Sequence, residues 1–123
     1  VKIPADDQER LRTEYGTLLA ELADAGEKEL AGSSSGADPQ TVERVRADSL
    51  IGVRDERGSS SPDPDHDERR EQYIRLRLLT IAAERGALLE ARARGTYSSQ
   101  TLGAAQRRLD LEETRLQALS EQP

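Results

Sequence analysis

The sequence predicts an all-α fold of four helices arranged in two antiparallel helical hairpins. Two observations lead to this prediction: apolar residues recur at helical spacings of three and four, and clear helix start and stop signals divide the chain. The predicted units are a first hairpin over 1–57, a flexible hinge over 58–64 and a second hairpin over 65–120. The similar strings "QTV" at 40–42 and "QTL" at 100–102 raise the hypothesis of a duplicated hairpin. One compact bundle and a pair of hairpins swapped across a dimer both fit this pattern.

The first hairpin contains two predicted helices joined by the loop "AGSSSGA" at 31–37. Helix 1 is expected over about 5–30 because an acidic first turn suits the helix dipole and an apolar face follows. That face comprises Leu11, Tyr15, Leu18, Leu19 and Leu22. Asp38 is suited to cap helix 2, and Pro39 is suited to its first position. Helix 2 has a less regular apolar face and is expected to end before Gly58.

The second hairpin begins with the longest predicted helix, over about 65–94. Its apolar residues fall near a heptad seam and comprise Ile74, Leu78, Ile81 and Leu88. We expect Leu79, Ala82 and Leu89 to widen the face that this helix turns towards the core.

A tight corner is predicted at "RARGTYSSQTL", residues 92–102. Gly95 tolerates the left-handed conformation that closes a helix, and Ser98 is suited to cap the next one. Tyr97 can pack on Leu102 as a hydrophobic staple. A connection this short predicts that helices 3 and 4 are antiparallel neighbours. The apolar face of helix 4 comprises Leu102, Ala105, Leu109, Leu116 and Leu119.

Composition narrows the classes of function. Of the 123 residues, 34% are hydrophobic and 34% are charged, so the core is expected to be thin. The net charge is -6, and the chain therefore lacks the excess of basic residues that nucleic-acid binding requires. The chain has no cysteine and therefore no disulfide, thiolate nucleophile or cysteine-type zinc site. The longest apolar patch, Leu76–Ala83, is far shorter than the roughly 20 residues of a membrane span.

One string resembles a metal site only in part. Asp63, Asp65 and Asp67 alternate as in the first half of a calcium loop, but Glu68 stands where that loop needs glycine. Helix capping explains these acids better than metal binding. His66 is the sole histidine, and we expect it to be an ordinary exposed residue next to the hinge rather than a pH sensor.

A carboxylate cluster in helix 4 imitates an acid/base site. On a helix, however, Glu113 lies below Asp110 while Glu112 points elsewhere, and Arg108 and Arg115 are near enough to neutralise these acids. No nucleophile motif or phosphate-binding loop accompanies them. The sequence therefore predicts no enzyme activity, no cofactor, and no catalytic, cofactor-binding or metal-binding residues.

The stretch 84–116 contains several short elements in a fixed order. They are Glu84-Arg85, Leu88-Leu89, Arg94-Gly95, Ser98, Leu109-Asp110-Leu111-Glu112-Glu113 and Arg115-Leu116. In order and spacing they resemble the C-terminal cytoplasmic tails of bacterial sodium/proton antiporters, in the monovalent cation:proton antiporter-1 family. The resemblance covers about a quarter of the chain. Gly86, Gly103 and Tyr97 depart from the family pattern.

The resemblance implies a soluble cytoplasmic regulatory or assembly tail of a membrane sodium(cation)/proton antiporter, non-catalytic by itself. It implies two partners: the membrane domain of the same antiporter and a second copy of the tail in a dimer. The near-neutral, Arg-rich second half adds the hypothesis of contact with the anionic inner leaflet. The family's transport carboxylates lie in its membrane helices, so no residue here inherits a transport role. The alternative is a free-standing helical module that docks an amphipathic face on another protein.

Overall fold

The computed structural model describes residues 5–51 and 66–121, and this part of the chain is all-α, as predicted. The helices are α1 (Ala5–Ser33), α2 (Pro39–Ile51), α3 (His66–Arg94) and α4 (Ser99–Ser120). No strand occurs within these ranges. The predicted hinge over 58–64 and the end predicted for helix 2 lie outside the described residues.

The helix limits follow the local signals. The predicted N-cap of α2 is present, because Asp38 Oδ2 accepts hydrogen bonds from Thr41 N–H and Thr41 Oγ1, each at 3.1 Å. Pro39 is the first residue of α2, where a missing amide hydrogen costs nothing. α1 is slightly longer than predicted: it ends at Ser33, so the predicted loop over 31–37 starts inside its last turn.

The helices form a bundle in which α3 packs against each of the other three, and α1 also packs against α2 and α4. Leucines dominate the core, together with smaller aliphatic residues and one tyrosine. The main contributors are Leu18, Leu22, Leu30, Val45, Tyr73, Leu76, Ile81, Leu88, Leu102, Leu109 and Leu116. The all-α fold is thus confirmed, while dimerisation and the swapped arrangement remain predictions.

The outer side of α3 corrects one prediction. Leu79, Ala82 and Leu89 were expected to widen the core face, but all three are exposed, with 38% of Leu79 and 67% of Leu89 accessible. Tyr73 and Leu76 are buried instead. The other three helices all pack against α3, and together they cover the side of α3 that carries Tyr73 and Leu76. The side that carries Leu79, Ala82 and Leu89, which apolar spacing alone assigned to the core, faces outward.

Candidate functional site: a buried charge cluster beside α1 and α4

Helix α3 buries three polar side chains that share one face. Arg77, Thr80 and Glu84 are 5%, 0% and 5% exposed, and their spacings of three and four place them one above another. Charged side chains are rarely this buried unless they are paired. This group, together with Glu112 of α4, is therefore the candidate site.

The Arg77 guanidinium lies at the centre of the cluster. Its Nη1 is 3.7 Å from Glu84 Oε1, and its Nη2 is 3.8 Å from Glu112 Oε2. Nη1 also donates a hydrogen bond to Thr80 Oγ1 at 3.1 Å, while the Thr80 hydroxyl donates to the Arg77 carbonyl oxygen at 2.7 Å. The guanidinium thus has carboxylates from both α3 and α4 beside it, and Thr80 fixes its position.

Glu84 is the titratable centre of this cluster. Burial raises the pKa of its carboxyl from 4.5 to about 7, and the nearby Glu112 carboxylate raises it further, against the opposing charges of Arg77 and Arg108. The distance of 3.7 Å to Arg77 exceeds a hydrogen bond, and Glu84 Oε1 accepts none within the described residues. Burial, which the charges of Arg77 and Arg108 offset only in part, is therefore the main cause of this raised pKa.

Helix α1 meets Glu84 at a glycine. A Cβ added to Gly26 would lie 3.3 Å from Glu84 Oε2 and 3.4 Å from Glu84 Cγ, tighter than ordinary van der Waals contact. Glycine therefore provides the room in which the carboxyl is held between α1 and α3. Chemically, the raised pKa of Glu84 makes this carboxyl the group in the bundle interior that is suited to take up and release a proton near neutral pH.

A second charge cluster joins α3 to α4. Of the two arginines predicted to neutralise the acids of α4, Arg115 pairs with Glu112. The sequence did not indicate Arg85 of α3, which binds the other two acids, Asp110 at 2.8 Å and Glu113 at 3.1 Å. The side chains of Asp110 and Glu113 do share a face, as their spacing indicated. Glu112 points elsewhere, towards Arg77 and, at 3.3 Å, towards Arg115.

The corner between α3 and α4 has the predicted local structure. Gly95 adopts a positive φ of 72°, and Ser98 Oγ accepts the Thr101 N–H at 3.2 Å as the N-cap of α4. The Ser98 N–H donates to Glu14 Oε1 of α1 at 2.6 Å, and this hydrogen bond holds the pKa of Glu14 below its usual value. The corner is thereby fastened to α1.

Further side chains attach the corner to α1 at Glu21. Tyr97 is half-buried against the core, and its hydroxyl donates to Glu21 Oε1 at 3.0 Å. Arg94 Nη2 donates to the other oxygen of Glu21 at 2.5 Å. These bonds, chiefly the one from Arg94, lower the pKa of Glu21. Nothing in the local sequence around residue 94 pointed to an acid 73 positions earlier.

The other residues considered for metal binding or pH sensing are not part of this cluster. Asp63 and Asp65 lie outside the described residues, and only the backbone is described for His66 and Asp67. Among the described side chains, no group of three or more acids or histidines is arranged to hold a metal ion.

Sequence reasoning missed the buried cluster of Arg77, Thr80 and Glu84. The available signal was the position of these residues within and just after the apolar patch Leu76–Ala83: they recur at helical spacing and so share one face. As a sequence, Arg77 and Thr80 are polar residues that interrupt this apolar patch. Their spacing also places them on the buried side of α3.

Comparisons with family models, with curated proteins and with solved structures find no match to this chain. In the described part of the chain, no helix is both long enough and apolar enough to cross a membrane. The function proposed below therefore depends on the residues of the chain and on their arrangement in the bundle.

Proposed function

We propose that this chain is the cytoplasmic regulatory and assembly tail of a sodium(cation)/proton antiporter of the monovalent cation:proton antiporter-1 family, and that it is non-catalytic by itself. The single observation that carries the proposal is the ordered set of elements over 84–116. It begins at Glu84-Arg85, continues through the Arg94-Gly95 helix end and closes at Arg115-Leu116.

The bundle supports this proposal because residues of those elements contact one another. Glu84 and Glu112 both lie beside the Arg77 guanidinium, and Arg85 bridges to Glu113. The leucines of the same elements divide between the core and the surface: Leu88, Leu109 and Leu116 are buried, whereas Leu89 and Leu111 are exposed. The elements thus belong to one packed α3–α4 unit rather than to unrelated segments.

The proposed mechanism is differential binding. A tail regulates transport only if it binds one transport state of the membrane domain more tightly than another. The partners that we propose are that membrane domain, a second copy of the tail and the anionic inner leaflet, where each basic residue near the surface contributes about 1 kcal/mol. The tail therefore lies on the cytoplasmic side of the membrane in this proposal.

The second candidate is a free-standing helical interaction module, favoured by two large apolar side chains on the surface. Leu89 and Leu111 are 67% and 61% exposed, as expected of residues that dock on another protein. The encoding gene distinguishes the candidates. A reading frame with ten or more apolar spans upstream of Val1 supports the antiporter tail, and a short reading frame without such spans supports the module.

The functional test compares the full-length transporter with its tail-deleted form in proteoliposomes. We expect deletion to change the rate, the ion preference or the pH profile of transport, because the tail stabilises one transport state. A triple substitution of Arg85, Asp110 and Glu113 to alanine in the full-length protein tests whether the packed α3–α4 unit is needed. Identical transport by the intact and tail-deleted proteins would contradict a regulatory role.

A further inference from the structure

The solvent side of α3 carries a continuous apolar stripe. We define the outer stripe of α3 as its five exposed apolar or glycine positions at successive spacings of three, four, three and four: Leu79, Ala82, Gly86, Leu89 and Ala93. Such spacing places all of them on one side of a helix, and it is the heptad spacing through which helices pair. The buried face, at Thr80, Glu84 and Ala91, lies on the opposite side of α3.

The corresponding side of α1 provides an internal comparison. Its exposed residues include Asp24 and Lys28, which form an ion pair at 3.2 Å with both side chains largely in water. Thr13 and Thr17 are also exposed on this helix. The outer side of α1 therefore combines this charged pair and the two threonines with small residues such as Ala20 and Ala31, and it carries no leucine at an exposed position. The exposed leucines of α3 thus do not follow from the bundle architecture itself.

The large and small side chains of the outer stripe are complementary when a second copy of the stripe runs in the opposite direction. Leu79 and Leu89 stand towards its ends, with the small residues Ala82 and Gly86 between them. In an antiparallel pair about a two-fold axis, Leu79 of one copy would face Leu89 of the other, and the small residues would let the helices approach closely.

Two exposed charges select the antiparallel direction. Arg75 precedes the stripe and Glu90 lies beside its far end. Both side chains are exposed, and Glu90 also lies near Arg94 of its own helix. Reversal of one copy brings Arg75 towards Glu90 of the other, whereas a parallel pair in register would place like charges together.

We propose that the outer stripe of α3 binds the same stripe of a second copy of this chain, antiparallel, about a two-fold axis near residues 82–86. The inference rests on the assembly role in the proposed function, and it identifies the outer stripe of α3 as the surface through which two copies bind. A contact through one helix per copy is small, so the dimer forms and dissociates with concentration.

Sedimentation velocity of the 123-residue chain over a range of concentrations tests the surface. We expect a reversible dimer whose dissociation constant rises at least about tenfold in a Leu89→Gln variant, because the substitution acts twice in a two-fold interface. Leu111→Gln is the matched control, since Leu111 of α4 is similarly exposed; it should stay within about twofold of the wild type. A monomer at every concentration, or equal effects of the two variants, would overturn the proposal.

Cross-linking tests the direction of pairing, and the absence of cysteine makes single-cysteine variants unambiguous. With a short bismaleimide, we expect Ala82→Cys to cross-link to itself and Arg75→Cys to cross-link to Ala93→Cys. Ala93→Cys alone should not react with itself, because its two copies would be roughly 27 Å apart along the helix axes. Efficient cross-linking of Ala93→Cys to itself would overturn the antiparallel arrangement.

The two proposals fail separately. A chain that remains monomeric contradicts the outer-stripe dimer. It does not change the result expected when the full-length and tail-deleted transporters are compared. A parent gene without membrane spans contradicts the antiporter assignment, while a Leu89-dependent dimer would still establish the surface.

Discussion

The α1–α2 half and the α3–α4 half of the bundle build their turns in the same way. Gly36 and Gly95 have positive φ angles of 82° and 72°. Shortly afterwards, Asp38 and Ser98 accept the amide hydrogen of a threonine three positions later, and so cap α2 and α4. Similar local signals therefore produce similar turns.

Each cap is also tied to the long helix of the other half. The Asp38 N–H donates to Gln72 Oε1 of α3 at 3.1 Å, and the Ser98 N–H donates to Glu14 Oε1 of α1 at 2.6 Å. These reciprocal contacts make Glu14 the counterpart of Gln72. They agree with the hypothesis of a duplicated hairpin, for which the similar strings after the two caps were the first indication.

Alignment of α1 with α3 on that pair shows where the halves agree. Leu18 corresponds to Leu76 and Leu30 corresponds to Leu88, and all four leucines are buried. Both long helices therefore contribute leucines to the core at the same spacing.

The halves differ in the segment between those leucines. Leu22 of α1 corresponds to Thr80 of α3, and Gly26 corresponds to Glu84, with which it is in contact. In this segment the second half carries a buried charged group where the first half carries a leucine and a glycine, and the glycine leaves room for that group. Two helices with the same spacing of buried leucines therefore differ in the segment between them, which is apolar in α1 and contains a buried titratable carboxyl in α3.

The largest expected effect concerns the shared leucines. Leu18→Ala and Leu76→Ala should each reduce the free energy of unfolding by about 3 kcal/mol, since both side chains are fully buried and each change leaves a cavity. Urea denaturation followed by far-ultraviolet circular dichroism measures both losses. Leu111→Ala, at an exposed position, is the control and should change little. A loss of stability in only one of the two variants would contradict the equivalence of α1 and α3.

The next prediction concerns Glu84, the buried carboxyl that distinguishes α3 from α1, and its effect on how stability depends on pH. The pKa of Glu84 is about 7 in the folded chain against an ordinary 4.5, so the folded state keeps a proton that the unfolded state releases. The free energy of unfolding should therefore fall as pH rises from about 4.5 to above 7, by about 3 kcal/mol. Urea denaturation across this pH range measures the decline, and Glu84→Gln should remove most of it.

Glu90→Gln is the control for this pH dependence. Glu90 lies on the same helix but is exposed, so its variant should keep the wild-type decline. An unchanged decline in the Glu84→Gln variant would show that the buried carboxyl does not control the pH dependence of stability.

A smaller effect is expected at the caps. Asp38→Ala and Ser98→Ala should each cost about 1 kcal/mol, because each leaves an amide hydrogen at a helix start without its side-chain acceptor. Thermal unfolding of the two variants tests whether the caps are equivalent. Asp38→Asn and Ser98→Thr should recover most of the loss, and failure of both rescues would mean that the caps act through something other than amide bonding.

The smallest expected effect concerns the glycines before the caps. An added Cβ would meet no atom within 4 Å at Gly36 or Gly95, so a substitution disturbs only the backbone conformation. Alanine at a positive φ is strained, and its lower entropy in the unfolded chain offsets part of that cost. We expect Gly36→Ala and Gly95→Ala each to lower stability by about 0.5–1 kcal/mol in the same denaturation measurement. A stabilising effect at either position would contradict the left-handed turn there.

Much of the fold could be predicted from local sequence because the relevant interactions are local. The Asp38 and Ser98 caps act on an amide three positions away, and Pro39 restricts its own backbone. For this reason the start of α2 and the corner at Gly95 agree with prediction to the residue. The all-α class followed from the same signals and from the apolar periodicity.

The candidate site could be predicted only in part, because burial depends on how the helices are rotated against one another. Leu88 and Leu89 are adjacent leucines, yet packing buries the first and exposes the second. Likewise, the string containing Arg85 cannot reveal that its partners are Asp110 and Glu113 of another helix. Side-chain contacts between distant segments are set by tertiary packing and not by local propensity.

Local sequence is enough to predict that this chain forms helices, which residues cap the starts of α2 and α4, and which leucines have helical spacing. The packing of the helices sets the burial of Arg77 and Glu84, the position of Glu84 beside Gly26, and the exposure of Leu79 and Leu89. The physical reason is the range of the interactions: capping and backbone preference act within one turn of helix, whereas desolvation of a charge requires several helices to surround it.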